Sequence, residues 1–111
     1  MTEPTEYRLV YITAPSREEA LRVGRGLVEA RLAACANVRA EVTSVYWWKG
    51  ELQEDEEAIL IAKTRAALVE KLIAKVRELH SYECPCVVTL PIQEGYEGFL
   101  KWIGEETAPG G

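Results

Sequence analysis

The sequence predicts an α+β domain whose elements follow the order β-α-β-β-α-β, with one further helix at the C-terminal end. Two long extended segments, about residues 35–48 and 51–64, are separated only by Lys49 and Gly50, which predicts a hairpin. Segments with apolar residues at helical spacing flank this hairpin, and a short β-branched segment lies beyond each of them. This order is typical of the split βαβ, ferredoxin-like fold.

The first strand and the first helix are marked by a change in the spacing of apolar residues. Residues 7–13 are rich in aromatic and β-branched side chains and end shortly before a proline, which predicts a strand. Ser16 and Glu19 occupy the two positions of a capping box, with Ser16 as N-cap and Glu19 reaching back to it. A helix of about residues 17–33 follows, with a stripe of Ala20, Leu21, Gly24, Leu27, Val28 and Leu32.

Strict alternation along the first hairpin strand assigns its side chains to two faces. One face is predicted to hold Ala36, Val38, Ala40, Val42, Tyr46 and Trp48, and the other Asn37, Arg39, Glu41 and Thr43. A strand of about 14 residues is ~45 Å long. A globule of 111 residues has a radius of gyration of ~13 Å, and therefore a diameter of only about 35 Å. The hairpin is therefore expected to overhang its domain. A closed oligomer would cover its aromatic tip; the alternative is that the strands bend or end early.

The second half of the chain predicts three more elements. A helix covers about residues 65–79, a strand is centred on residues 86–92, and a short helix covers about residues 96–103. Residues 1–6 and 104–111 lack a packing face and are expected to form loose tails. The whole chain, residues 1–111, is predicted to be a single domain.

Charge and cysteine content exclude several classes of protein. The net charge of −5 argues against nucleic-acid binding, which depends on basic side chains that neutralise phosphates. Three cysteines without a secretion signal predict reduced thiols and a cytoplasmic location. No apolar segment is long enough to cross a membrane, so no membrane partner is expected.

The segment after the second predicted helix gathers groups that bind metals. His80, Glu83, Cys84 and Cys86 stand within seven positions, and thiolate and imidazole are ligands that copper and zinc prefer. The spacing matches no closed zinc site. Two interpretations are open: a metal site shared between subunits, or a helix-end histidine with two thiols that act as small hydrophobic side chains.

The sequence lacks other common signatures of reaction chemistry. The acidic residues of 51–57 form a solvated strand edge, except that Glu57 has the same strand parity as Lys63. The sequence contains no glycine-rich phosphate loop, and its only histidine limits nucleophile–base schemes to one base. Thiol redox chemistry through Cys84 and Cys86 is the least favoured function. The protein is predicted not to be an enzyme.

Four motifs together resemble those of the CutA divalent-cation-tolerance family. They occupy residues 31–38, 46–51, 60–64 and 79–85, and the resemblance covers about residues 9–102. The resemblance implies a ferredoxin-like subunit, a homotrimer like that of the PII signalling proteins, and a cytoplasmic role in tolerance of divalent metals. It also implies copper(II), or another divalent metal, as the ion bound, without a requirement for metal in folding.

The resemblance implies two candidate sites. The family's copper ligands fall at Ile12, Leu79 and His80, of which only His80 can coordinate, and Cys86 or Cys84 offers a replacement donor. The second candidate is a cleft between subunits, lined by Cys35, Trp48, Glu57, Lys63 and Tyr82.

The second candidate also has two interpretations. The cleft is suited to a small anionic or polar ligand, or its residues are interface packing alone. The leading function is a homotrimeric metal-response protein. The alternative is a PII-like sensor that binds a metabolite in this cleft and signals to a protein partner.

Overall fold

The computed structural model describes residues 6–109, and its elements follow the predicted order. The strands are β1 (Tyr7–Ala14), β2 (Cys35–Trp48), β3 (Glu51–Arg65) and β4 (Val87–Pro91). The helices are α1 (Arg17–Glu29), α2 (Val69–Leu79, after a 3-10 turn at Ala66–Leu68) and α3 (Glu97–Glu105). The predicted loose tails at residues 1–5 and 110–111 lie outside the described residues.

The four strands form one antiparallel sheet with the order β2-β3-β1-β4. The first strand of the chain is therefore an interior strand. Its residue Ile12 stands opposite Leu60 on β3 and Val87 on β4. This order, with two helices as crossovers, confirms the predicted ferredoxin-like arrangement.

The hydrophobic core lies between one face of this sheet and the helices α1 and α2. Val10 and Ile12 on β1 stand opposite Ala62 and Leu60 on β3, and all four are fully buried. The helices add buried side chains at Ala20, Val23, Leu27, Leu72 and Val76. The alternate residues of the same strands, among them Tyr11 and Ile61, belong to the opposite face of the sheet because strand side chains alternate.

A β-bulge in β2 overturns the predicted division of its faces. Arg39 pairs with Ile59 but Val42 pairs with Glu57, so β2 has one residue more than β3 in this interval. Glu41 adopts a φ of 65° there, in the left-handed region that non-glycine residues rarely enter. The side chains that follow the bulge therefore move to the opposite face of the sheet. Tyr46 and Trp48 do not share a face with Ala36 and Val38, because the extra residue reverses the alternation.

The hairpin overhangs the domain as its length predicts. β1 pairs with β3 only as far as Ala58, so residues 51–57 of β3 pair with β2 alone. The longest dimension of the molecule is 44 Å. The side chain of Trp47, near the tip of the hairpin, is 72% exposed in the single subunit.

Helix α1 ends four residues earlier than its apolar stripe predicts. Arg31 takes a φ of 62°, which breaks the helix just after Glu29. The backbone N–H of Leu32 still donates to the Leu27 carbonyl at 2.9 Å, so Leu32 packs against the core from outside the helix. Leu32 is thus a core residue for a reason other than helical spacing.

The predicted loose tail from Gly104 is wrong for residues 104–108. α3 continues to Glu105, and the buried Thr107 hydroxyl donates to the Ile103 carbonyl at 3.0 Å and accepts from Arg65 at 2.9 Å. The Ala108 N–H donates to the Arg31 carbonyl at 2.8 Å. Arg65 and Arg31 lie far away in the sequence, so no local pattern indicates these two contacts.

Candidate functional site

A cleft of about 570 Å³ opens where the overhanging hairpin meets the segment between α2 and β4. β1 contributes its end at Thr13, the hairpin contributes one wall, and residues 81–86 contribute the other. The lining residues are Thr13, Ser44, Tyr46, Trp48, Glu57, Ser81, Tyr82, Glu83, Cys84 and Cys86. The bulge in β2 builds this site, because it turns Ser44, Tyr46 and Trp48 to the side that holds Glu57.

The hairpin wall carries a phenol–carboxylate pair. The Tyr46 hydroxyl donates to Asp55 Oδ2 at 2.6 Å. This hydrogen bond is the main reason that the pKa of Tyr46 is raised above its ordinary value. The Tyr46 phenol is therefore neutral at physiological pH, and its proton forms the hydrogen bond to Asp55.

A second phenol–carboxylate pair connects the two walls. The Tyr82 hydroxyl donates to Glu57 Oε2 at 2.6 Å, and Glu57 is only 8% exposed. Burial, followed by this hydrogen bond and the Glu57 charge, raises the pKa of Tyr82 far above its ordinary value. The pair connects the two walls of the cleft and fixes the position of the Glu57 side chain.

His80 holds the second wall in place rather than lining the cleft. Its Nε2 lies 2.7 Å from the Thr13 carbonyl, and its Nδ1 accepts from the Tyr82 N–H at 3.1 Å. A carbonyl can only accept and an amide can only donate, so these two bonds define the neutral Nε2–H tautomer. Glu19 Oε2 lies 3.3 Å from Nδ1 but would form an ion pair only with a protonated ring.

Glu19 has a role that the capping-box motif does not indicate. The Ser16 side chain accepts from the Glu19 N–H at 3.1 Å, as predicted for the N-cap. The Glu19 carboxylate, however, accepts from the Ser81 N–H at 2.7 Å, 62 residues further along the chain. Through this hydrogen bond the buried Glu19 side chain connects helix α1 to the cleft wall.

The structure brings together some of the predicted metal ligands and not others. Glu83, Cys84 and Cys86 all line the cleft, and both thiols are exposed. Both ring nitrogens of His80 bond to the backbone in this structure, and its role as a metal ligand stays a prediction. Within residues 6–109, no group of three or more His, Cys, Asp or Glu side chains is arranged to hold a metal ion.

The positions of the family's other copper ligands do not compensate for this. Ile12 is fully buried in the core, and Leu79 packs against the core from the end of α2. Neither side chain has an atom that coordinates metal. The donors that the structure describes in a single subunit therefore do not fit a copper site of the kind that the family resemblance implies.

The residues predicted to line an intersubunit cleft divide into two groups. Trp48, Glu57 and Tyr82 line the observed cleft together. Cys35 and Lys63 stand opposite each other at the far end of the hairpin, six residues from Glu57 along β3. At ~3.3 Å per residue this separation is ~20 Å. The Lys63 ammonium donates to Asn37 Oδ1 instead.

Alkaline pH is expected to destabilise the protein through Tyr82. The folded state holds the Tyr82 proton at a pH where the unfolded chain, with an ordinary pKa of 10.0, releases it. This contribution to the free energy of unfolding is complete below pH 10 and declines as the pH rises further. Urea unfolding at a series of pH values should show a smaller alkaline loss in Tyr82→Phe than in wild type. The exposed Tyr96→Phe is the matched control, and an equal loss in all three proteins would contradict the prediction.

No helix within residues 6–109 is long and apolar enough to cross a membrane. The fold and the cleft together define a ferredoxin-like α+β protein with a ligand-sized cavity at the base of an overhanging hairpin. The family model of the CutA1 divalent ion tolerance protein matches residues 8–106. The chain belongs to the CutA1 divalent ion tolerance family.

Individual relatives agree with this assignment. The divalent cation tolerance protein of Thermus thermophilus has a solved structure with a TM-score of 0.90 and 44% identity, covering 92% of this chain and 99% of that one. The solved structure of the periplasmic divalent cation tolerance protein of Archaeoglobus fulgidus has a TM-score of 0.87 and 40% sequence identity. The match covers 90% of this chain and 97% of that one. A CutA homolog of Xenopus laevis is 47% identical over 95 residues, 86% of this chain but only 63% of its own length.

Proposed function

We propose that this protein acts without catalysis, as a homotrimer, in the response of the cell to divalent metal ions. Membership of a family named for divalent-ion tolerance supports the metal response. The observation that carries the assembly is the apolar face of the sheet that α1 and α2 leave uncovered. Three subunits, rather than another number, follow from the family resemblance.

The uncovered face is continuous across the strands. Tyr11 on β1 stands between Ile61 on β3 and Val88 on β4, and all three point away from the core. Val88 and the nearby Leu90 are each 53% exposed in the single subunit. An apolar sheet face of this kind marks a surface that binds a partner. In a closed symmetric assembly the partner is another copy of the chain.

The state of the only histidine supports the absence of catalysis. His80 has both ring nitrogens bonded to the backbone, so it is not free to act as a general base. The two tyrosines of the cleft donate hydrogen bonds to carboxylates, and the raised pKa of each phenol keeps it protonated. The described residues thus contain no activated nucleophile with a base beside it.

Metal binding is proposed to use Cys84 and Cys86, with Glu83 as a further oxygen donor. Both thiols are exposed and line one cleft, and thiolates are the strongest ligands in this sequence for copper and similar ions. Within residues 6–109, one subunit does not bring three donors together. The remaining ligands are therefore proposed to come from a neighbouring subunit. The bound metal ion is proposed not to be required for folding.

Calorimetric titration of the reduced protein with copper(II) tests this metal site. Zinc(II), which thiols do not reduce, is the control for thiol oxidation. We expect saturable binding that weakens at least about tenfold in Cys84→Ser/Cys86→Ser. Cys35→Ser, whose thiol lies outside the cleft, should keep the wild-type affinity. Full affinity in the double variant would overturn the proposed ligands, and no saturable binding by wild type would overturn the metal site.

The cleft favours a second candidate function, that of a sensor that binds a small molecule and signals to a protein partner. Its volume of about 570 Å³ and its aromatic lining are typical of small-molecule sites. A rise in melting temperature with an organic ligand but not with metals would favour this function over the first. The cytoplasmic location remains a prediction from the sequence.

A further inference from the structure

The charged side chains that line the cleft are acidic, whereas an anionic ligand would require basic ones. Among its ten lining residues, Glu57 and Glu83 are acidic and none is basic. Asp55 adds a third carboxylate through its hydrogen bond to Tyr46. Lys63, the amine expected to receive an anion, lies at the other end of the hairpin and bonds to Asn37. The charges that one subunit contributes to this cleft therefore favour a cationic ligand.

The aromatic side chains of the cleft suit an organic cation. Tyr46, Trp48 and Tyr82 all line it, and the faces of such rings attract ammonium groups. Both phenols donate to carboxylates, which increases the electron density of their rings. The chain already provides one contact of this type, since Lys49 Nζ lies 5.6 Å from the centre of the Trp48 ring.

A metal ion is a poorer match for the same acidic groups. Glu57 has one oxygen bonded to the Tyr82 hydroxyl, and within residues 6–109 no three donor side chains converge. A strongly hydrated ion held by Glu57 and Glu83 alone would have to be stripped of water without enough replacement ligands. A weakly hydrated organic cation requires only balancing charge and aromatic rings, and both carboxylates and aromatic side chains line the cleft.

We propose that this cleft binds a small organic cation, a primary or quaternary ammonium compound. Trp48 and Tyr82 contact its apolar part, and Glu57 and Glu83 balance its charge. The inference rests on the second candidate function, the ligand sensor, and specifies the chemical class of its ligand.

Titration of the wild-type protein with three compounds of matched shape tests the proposal. Choline is the cation, 3,3-dimethylbutan-1-ol is its neutral isostere, and 3,3-dimethylbutanoate is the anion, each at constant ionic strength. Calorimetry and tryptophan fluorescence report binding. We expect choline to bind at least about tenfold more tightly than the alcohol, and the anion not to bind.

Adjacent residues on the hairpin provide a matched pair of variants. Trp48→Ala removes a lining ring and should weaken choline binding about tenfold. Trp47→Ala removes a ring that is exposed in the single subunit and does not line the cleft; in protein that keeps the wild-type oligomeric mass, it should change the affinity less than about twofold. Glu83→Gln should weaken binding, while Glu54→Gln, on the exposed part of the same hairpin, should not.

The outcomes separate the ligand class from the sensor function. Equal binding of choline and the alcohol, or binding of the anion alone, would overturn the cationic class while leaving the cleft as a ligand site. No binding of any of the three compounds to folded, assembled protein would count against the sensor function as well. Equal losses in Trp48→Ala and Trp47→Ala would place the binding outside this cleft and overturn the proposal.

Discussion

His80→Ala protein is expected to unfold with a free energy about 2–4 kcal/mol lower than wild type, and to bind metal as wild type does. The substitution leaves the Thr13 carbonyl and the Tyr82 N–H without their partners. It also opens a space beneath the cleft wall, since His80 is 8% exposed. Urea unfolding measures the first effect, and metal titration measures the second.

Position 80 allows a control that separates hydrogen bonding from metal binding. His80→Gln keeps one donor and one acceptor on a side chain of similar reach, and should lose less stability than His80→Ala. A His80→Ala protein of unchanged stability that has lost its metal site would contradict the structural role. Equal stability losses in both variants would assign the effect to packing rather than to hydrogen bonds.

Val88→Glu protein is expected to lose its oligomeric assembly while each subunit keeps its fold. Val88 is half exposed in the single subunit, so a carboxylate there is tolerated by the monomer. In the proposed assembly the same side chain would be buried against another apolar sheet face, at a cost of several kcal/mol per subunit. Light scattering should give the mass of one subunit, and circular dichroism should remain that of wild type.

Two further substitutions control for the added charge and for the lost valine. Ala67→Glu introduces the same charge at an exposed position in the 3-10 turn before α2, and should leave the assembly intact. Val88→Thr keeps the shape of valine and should weaken assembly much less than Val88→Glu. A Val88→Glu protein that retains the wild-type mass would contradict the role of this sheet face.

The element order was predictable because each signal is local. The alternation of residues 35–48, the Ser16 N-cap and the helical stripes all depend on neighbours within a few positions. The bulge was not predictable, because Glu41 is not a residue type that favours a positive φ. That single residue reverses the alternation and decides which face Tyr46 and Trp48 occupy.

The candidate site was predictable only in part. The family resemblance grouped Trp48, Glu57 and Tyr82, which the structure brings to one cleft. It also grouped Cys35 and Lys63 with them across a subunit boundary. Within one subunit the register of the hairpin separates both residues from Glu57 by ~20 Å, and the intersubunit cleft stays a prediction. The engagement of His80 was hidden because its partner Thr13 lies 67 positions earlier.

The mass of the wild-type protein in solution tests the central proposal most directly. Size-exclusion chromatography with multi-angle light scattering, on reduced protein without added metal, gives that mass independently of shape. We expect a single species of three 12.4 kDa subunits that does not dissociate on dilution into the low micromolar range. A species of one subunit mass would contradict the account, because the apolar sheet face and the aromatic hairpin would then remain exposed in the functional protein.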